Sequence, residues 1–174
     1  LPFGDGNLLE HVIKAAMKVN FGEIRIVLGA YHQKIRPALR GLPVQISVNP
    51  NWETGMGSSI SKGVKDLQAQ SDAAVLMLGD QPFVSAHHLQ NLIDQHLKSQ
   101  KPIVASFYQG KQGVPAFFHQ SFFPQLINLT EKIGAGKLIK ENRDMVAPMP
   151  YPEAAIDIDT PEDYRKWSSK DFTS

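Results

Sequence analysis

The sequence predicts one α/β domain with a mostly parallel sheet, on three observations. Strand-like and helix-like segments alternate along the chain, the pattern of βαβ units. The run Ala73-Ala74-Val75-Leu76-Met77-Leu78 is apolar throughout, as a strand covered on both faces is. That run stops at Gly79-Asp80-Gln81-Pro82, which puts an acid at a strand's carboxyl end, where open α/β sheets hold their ligands.

In chain order, Leu8, Leu9, Val12, Ile13, Ala16 and Met17 repeat with helical spacing, and Asn7 stands where an N-cap belongs. Residues 24–28 and 44–48 read as strands. Residues 59–69 look helical, and 73–78 form the apolar strand. Ser85 can cap a helix that carries Leu89, Leu92, Ile93 and Leu97. Residues 103–107 are strand-like, and 115–118 are a short strand or an edge, since proline removes a ladder donor. Helices are expected near 120–128 and 135–141, and strands around Met145 and Ala155. A last helix starts at Pro161, with Thr160 as its N-cap and acids in its first turn.

With 174 residues the chain can bury a full core, and 42% hydrophobic against 20% charged residues is globular composition. A net charge of +1 supplies no basic field for nucleic acid. No apolar run approaches ~20 residues, so no membrane partner is expected. Without cysteine there are no disulfides or thiolate zinc sites, and with no signal-peptide pattern the expected location is the cytoplasm. The six histidines form no HExxH pattern, and His88 and His96 read as solvated surface. No GxSxG elbow accompanies Ser58 and Ser59, so nothing marks a covalent nucleophile.

Three segments carry chemistry. Asp80 can hold a hard cation such as Mg²⁺, which holds phosphate oxygens in turn, although Asp and Pro also suit a plain turn. Asn49-Pro50-Asn51-Trp52-Glu53-Thr54-Gly55-Met56-Gly57-Ser58-Ser59 joins a strand to a helix; its glycines and serines either bring N–H groups to an anion or make a simple capped loop. Asp157 and Asp159 alternate on the expected strand near Ala155 and so point the same way, as a metal pair or as solvated acids. The stretch Gln109-Gly110-Lys111-Gln112-Gly113-Val114-Pro115 reads as a hairpin turn or a lip over a ligand.

Asn49-Pro50-x-Trp52-x-x-Gly55-Met56-Gly57-Ser58-Ser59, Gly79-Asp80-Gln81-Pro82, Gly113-Val114-Pro115-Ala116 and Asp157-Ile158-Asp159-Thr160-Pro161-Glu162-Asp163 occur here in one order. In that order they resemble the molybdenum cofactor cytidylyltransferases and the wider MobA-like NTP transferase superfamily, along nearly the whole chain. The resemblance implies a Rossmann-like, three-layer fold of the nucleotide-diphospho-sugar-transferase type. It implies transfer of CMP from CTP to the terminal phosphate of molybdenum-loaded molybdopterin, with release of pyrophosphate. Asp80 and Asp159 would be catalytic metal ligands with Asp157 beside them, for Mg²⁺ or, in its place, Mn²⁺. Gly55, Met56, Gly57, Ser58 and Ser59, with Asp80, would bind the nucleotide, and Gly113, Val114 and Pro115 would border the pterin. The implied partners are CTP or another NTP, the molybdopterin cofactor, and a molybdoenzyme or its chaperone.

Two departures stand beside the resemblance. The family's glycine-rich signature does not occur in this sequence, so residues 1–174 are expected to be one such domain lacking its first strand and phosphate-binding loop. The family often carries Gly-Asp before a Gly-Ala pair; the stretch here is Glu131-Lys132-Ile133-Gly134-Ala135, in which Glu131 can substitute for that aspartate. The other readings are a related nucleotidyltransferase with a different NTP or acceptor, and a non-catalytic molybdenum-cofactor carrier or insertion protein.

Overall fold

A computed structural model of the chain describes residues 2–3, 6–67, 71–129, 133–158 and 160–168. Strands β1 (Pro2–Phe3) and β2 (Gly6–Asn7) form a minimal antiparallel hairpin that leads into α1 (Leu8–Met17). Asn7 caps α1 in a capping box: Glu10 N–H donates to Asn7 Oδ1 at 3.0 Å, and the Glu10 carboxylate accepts from Asn7 N–H. Then follow β3 (Ile24–Leu28), the short α2 (His32–Ile35), β4 (Val44–Val48) and α3 (Met56–Leu67). Beyond these lie β5 (Ala73–Leu76), α4 (Ala86–Ser99), β6 (Ile103–Tyr108) and β7 (Lys111–His119). The chain closes with α5 (Phe123–Ile127), α6 (Ala135–Glu141), β8 (Val146–Pro150) and α7 (Pro161–Ser168).

β3 and β4 pair in parallel, and β5, β7, β6 and β8 form a second ladder in that order. Within it β7 runs against both β5 and β6, and β8 runs with β6. β3 and β5 share a direction. At one end Leu9 of α1 packs with Leu28, at the end of β3, and lies 3.3 Å from where a side chain on Gly79, just past β5, would begin. At the other end Val19 packs in one cluster with Ala73 and Val75. Five of these six strands therefore run the same way, with β7 alone reversed.

Three apolar clusters fill the layers. Phe118, Phe123, Leu126 and Ile139 pack with Val64 of α3 on one face of the sheet; Leu89, Leu92, Val104 and Phe117 pack on the other, with Ala16 of α1 against them. Ile13, Leu28 and Leu39 close the third, under β3. The far end of α3 is latched by charge: Asp66 accepts from Lys62 at 2.7 Å and from the Ser47 hydroxyl, and Arg25 bonds the same serine at 3.1 Å. The Lys62 hydrogen bond, and after it Ser47, holds the Asp66 carboxyl below the usual carboxylate range.

No ladder joins β3 to β5 among the described residues; between them runs a slot of about 760 Å³.

Two expected elements take other forms, at 115–118 and around Ala155. Residues 115–118 are not an edge: β7 lies inside the ladder, and its pairing with β6 jumps from Ala105↔Ala116 to Ser106↔Gly113. Val114 and Pro115 sit in that bulge, so the missing proline N–H removes no ladder bond. The strand expected around Met145 is β8, which starts one residue later, after a 3₁₀ turn. Around Ala155 there is no strand: Pro152–Ala155 is another 3₁₀ turn, closed by Ala154 N–H and Ile156 N–H on the carbonyls of Tyr151 and Glu153. The stretch at 109–113 begins as a hairpin, with Gln109 and Gly110 both at positive φ, the two-residue turn that matches strand twist.

Candidate active site

The four motif segments meet at the carboxyl ends of β3, β4 and β5. The mouth of the slot there is walled by Met56 and Ser59, by Gly79, by Val114, and by Gly134 and Ala135.

Asn49 organises the first of these segments. It is 3% exposed, its N–H donates to the last carbonyl of β3 at 2.8 Å, and its amide nitrogen lies 2.8 Å from Ser58 Oγ and 3.0 Å from Ser59 Oγ. Its Oδ1 accepts from Asn51 N–H at 3.0 Å, closing an Asx turn. The Ser58 hydroxyl lies 2.7 Å from the Gly55 carbonyl, so it is committed to holding the loop. Gly55 sits at φ 121°, ψ 177°, a conformation open only to glycine, and from it the chain turns into α3. Helix α3 begins at Met56, three residues earlier than the sequence pattern indicates, because this turn already supplies helical geometry. Met56 is exposed, and its sulfur lies 3.6 Å from where a side chain on Gly134 would begin. Gly57 is buried.

The second segment is tied to the fourth, and to the turn before it, by backbone and amide bonds. Ile158 N–H donates to the Asp80 carbonyl at 2.9 Å, and the buried Gln81 donates to the Ala154 carbonyl at 2.9 Å. The Tyr151 hydroxyl donates to the Phe83 carbonyl at 2.6 Å and accepts from Ser85 N–H at 3.0 Å. These bonds carry Asp157, exposed on an irregular stretch, to the neighbourhood of Asp80. The expected strand alternation of Asp157 and Asp159 does not apply, because residues 156–158 have no strand geometry. Asp159 itself, like Glu131, lies outside the described residues. Among the described residues no group of three His, Cys, Asp or Glu gathers to hold a metal. Mg²⁺ at nucleotide sites takes one or two carboxylates and completes its shell with phosphate oxygens and water; the Ile158–Asp80 bond brings two acids, Asp80 and Asp157, into one neighbourhood.

Gly113, Val114 and Pro115 form the bulge of β7. Two side chains that sequence reading missed fix it. The Tyr108 hydroxyl faces the Val114 carbonyl at 3.3 Å and stands 2.6 Å from where a side chain on Gly113 would begin. Burial raises the Tyr108 pKa and the charge of Asp157 adds to it, so that hydroxyl stays a donor. Behind them Ser106 donates to the Pro115 carbonyl at 2.6 Å and lies 2.7 Å from His88 Nε2. His88 is therefore not surface: it is 2% exposed, and its ring stacks on Tyr151 at 3.6 Å. The available signal was its place four residues before Leu92 on the apolar stripe of α4. His96 lies on the same helix, stacked on Phe117 and bonded to the Lys101 carbonyl at 2.8 Å.

The chain is similar to several known proteins. The purine catabolism protein PucB of Bacillus subtilis is 34% identical over 175 residues, spanning 94% of this chain and 84% of PucB. The crystal structure of Rv0371c from Mycobacterium tuberculosis in complex with manganese has TM-score 0.82 at 26% identity, over 98% of this chain and 90% of that one. Molybdopterin-guanine dinucleotide biosynthesis protein A of Archaeoglobus fulgidus shares the fold, with TM-score 0.66 at 16% identity, over 97% of this chain and 87% of its own. The MobA-like NTP transferase domain model matches residues 1–146. A nucleotidyltransferase fold, a carboxylate at the carboxyl end of β5 and a match over most of the chain place it in one family: it belongs to the MobA-like NTP transferases.

Proposed function

We propose that this nucleotidyltransferase moves CMP from CTP to the terminal phosphate of molybdenum-loaded molybdopterin, releasing pyrophosphate and forming a cytosine dinucleotide cofactor. The observation that carries the reading is the meeting of the Gly55–Ser59 turn, the Asp80 loop and the Val114 bulge around one mouth.

Asp80, with Asp157 and Asp159, would hold Mg²⁺, or Mn²⁺ in its place; the metal supplies charge neutralisation for the triphosphate. Gly55, Met56, Gly57 and Ser59 present a close-approaching backbone to the nucleotide, on a turn that Asn49 and Ser58 keep rigid. The bulge at Gly113, Val114 and Pro115 borders the acceptor, backed by Tyr108 and by Ser106 with His88. The acceptor is a phosphate and already a nucleophile, so these residues orient two anions for in-line attack rather than abstract a proton. Support for molybdopterin comes from the motif resemblance and from the MobA-like family.

A second reading is a sister transferase that uses another NTP or acceptor. The 34% identity to a protein named for purine catabolism favours a role in that setting. A non-catalytic carrier or insertion protein is the third.

The test is pyrophosphate release with Mg²⁺, molybdopterin cofactor and each NTP in turn. Release with CTP alone supports the proposal, and release with a different NTP moves it to the sister reading. No release with any NTP, from folded protein and competent acceptor, leaves the carrier.

A further inference from the structure

Tyr151 follows directly on β8, and its side chain reaches the loop that carries Asp80. The hydroxyl donates to the Phe83 carbonyl at 2.6 Å, accepts from Ser85 N–H at 3.0 Å and lies 3.2 Å from the Ser85 hydroxyl. Its main chain is fixed on both sides. The N–H donates to the Phe107 carbonyl at 3.0 Å, and the carbonyl accepts from Ala154 N–H at 3.1 Å. The phenol is thus anchored on β6 while its tip holds residues 83–85.

The face of that ring carries the contact onward. His88 stacks on it with ring centres 3.6 Å apart and planes 8° from parallel. The Ser106 hydroxyl gives its hydrogen to the Pro115 carbonyl at 2.6 Å, so His88 Nε2 is the donor to Ser106 Oγ at 2.7 Å. His88 N–H also donates to Ser85 Oγ at 3.1 Å, which ties the stacked pair a second time to the same turn. A continuous path therefore runs from the Phe83 carbonyl to the Pro115 carbonyl. Its two ends fall on the loops that wall the mouth, one following Gly79 and the other at Val114.

A path of this composition is a poor way to fill a core and a good way to set a distance. His88 and Ser106 are 2% and 0% exposed, and burying their polar groups costs free energy unless every hydrogen bond is made. Leucine or phenylalanine would occupy the same space without that demand. Hydrogen bonds instead fix both the length and the angle of each link, which apolar contacts do not. The Asp80 end of the loop is held separately, by Ile158 N–H on its carbonyl. The path therefore governs where the bulge stands relative to the loop, rather than whether the loop forms.

We propose that Tyr151 and His88 are positioning residues of the transfer: their stacked rings set the separation between the Asp80 loop and the β7 bulge, and so align the acceptor phosphate with the α-phosphate of the nucleotide. The proposal rests on the transferase reading above. Both rings act through the loops they hold. In-line attack needs the reacting atoms about 3–3.5 Å apart, and an error of about 1 Å in their placement costs roughly a hundredfold in rate. Nucleotide affinity is set elsewhere, at Asp80 and the Gly55–Ser59 turn, so the loss belongs to kcat.

The test is steady-state pyrophosphate release with CTP, Mg²⁺ and molybdopterin cofactor, or with the NTP that the native protein prefers. The variants are Tyr151→Phe, Ser106→Ala, His88→Ala and His88→Gln, each first shown by urea unfolding to be folded. In the first three kcat should fall about tenfold or more, while the KM for CTP stays within about threefold. His88→Gln keeps a donor for Ser106 and should recover most of the kcat lost in His88→Ala. Tyr151→Phe combined with Ser106→Ala should lose less than the product of the single losses, because both break one path. Native kcat in folded Tyr151→Phe and Ser106→Ala overturns the proposal and leaves the transferase reading intact. So does a loss confined to the KM for CTP, or no recovery in His88→Gln. No release by the native protein with any NTP overturns the transferase reading instead, and this role with it. Should His88→Ala fail to fold, Tyr151→Phe, which deletes one oxygen atom, decides.

Discussion

Acidification below neutrality should destabilise this protein through His88. The Ser106 hydroxyl gives its hydrogen to the Pro115 carbonyl and therefore accepts from His88, so Nε2 carries the imidazole's one proton. A second proton would put a cation in a site that is 2% exposed. Burial accordingly pushes the pKa from 6.5 down to about 4, and the charge of His87 adds to the shift. Between those values the unfolded chain binds the extra proton and the folded chain does not. Stability is therefore complete above the unfolded value and falls as pH drops toward the folded one. At about 1.4 kcal/mol per pH unit, the loss reaches about 2 kcal/mol at pH 5. For a chain of this size that corresponds to a fall in Tm of about 4–8 °C. His11, whose pKa is also lowered chiefly by burial, adds in the same direction. The assay therefore compares urea unfolding of the native protein with His88→Gln, which keeps a donor for Ser106, at pH 7.5, 6 and 5. The native protein should lose about 2 kcal/mol more than the variant between pH 7.5 and 5. Equal losses would refute the assignment of His88 as a neutral, buried donor.

Three further outcomes follow from the loops around the mouth. Gly55→Ala forces an L-residue into φ 121°, ψ 177° and should cost about 1–3 kcal/mol in urea unfolding. Asn49→Ala leaves Ser58, Ser59 and the Asn51 N–H without their buried partner. It should destabilise by about 1–3 kcal/mol, and calorimetry should show weaker NTP binding. Gly113→Ala drives a methyl to 2.6 Å from the Tyr108 hydroxyl and should cost about 1–3 kcal/mol. Tyr108→Phe in the same chain should recover most of that loss; no recovery would place the strain elsewhere.

The sequence disclosed elements wherever local chemistry and periodicity agreed. Residues 24–28 and 44–48 are β3 and β4, Asn7 and Ser85 are the caps they resemble, and Thr160 with Asp163 closes the start of α7. It misled where tertiary pairing overrides local preference. Pro115 marks an edge only if every strand residue must donate, and a bulge opposite Ser106 removes that requirement. His88 reads as polar surface until the hydroxyl beneath it is known, and that hydroxyl is 18 residues away in sequence. The Asn49 and Gly79 segments were legible because each follows a strand, but the meeting of the four depends on bonds such as Ile158 to Asp80, which no local pattern encodes.

The most direct test of the account is calorimetric binding of CTP in the presence of Mn²⁺ to the protein and to its Asp80→Asn variant, with unfolding curves to establish that both are folded. The account predicts metal-dependent binding by the native protein and a loss of at least about tenfold in affinity in the variant, as expected when one partner of a close charge pair is removed. Equal affinity in the two folded proteins, or binding indifferent to the metal, would contradict the role assigned to Asp80.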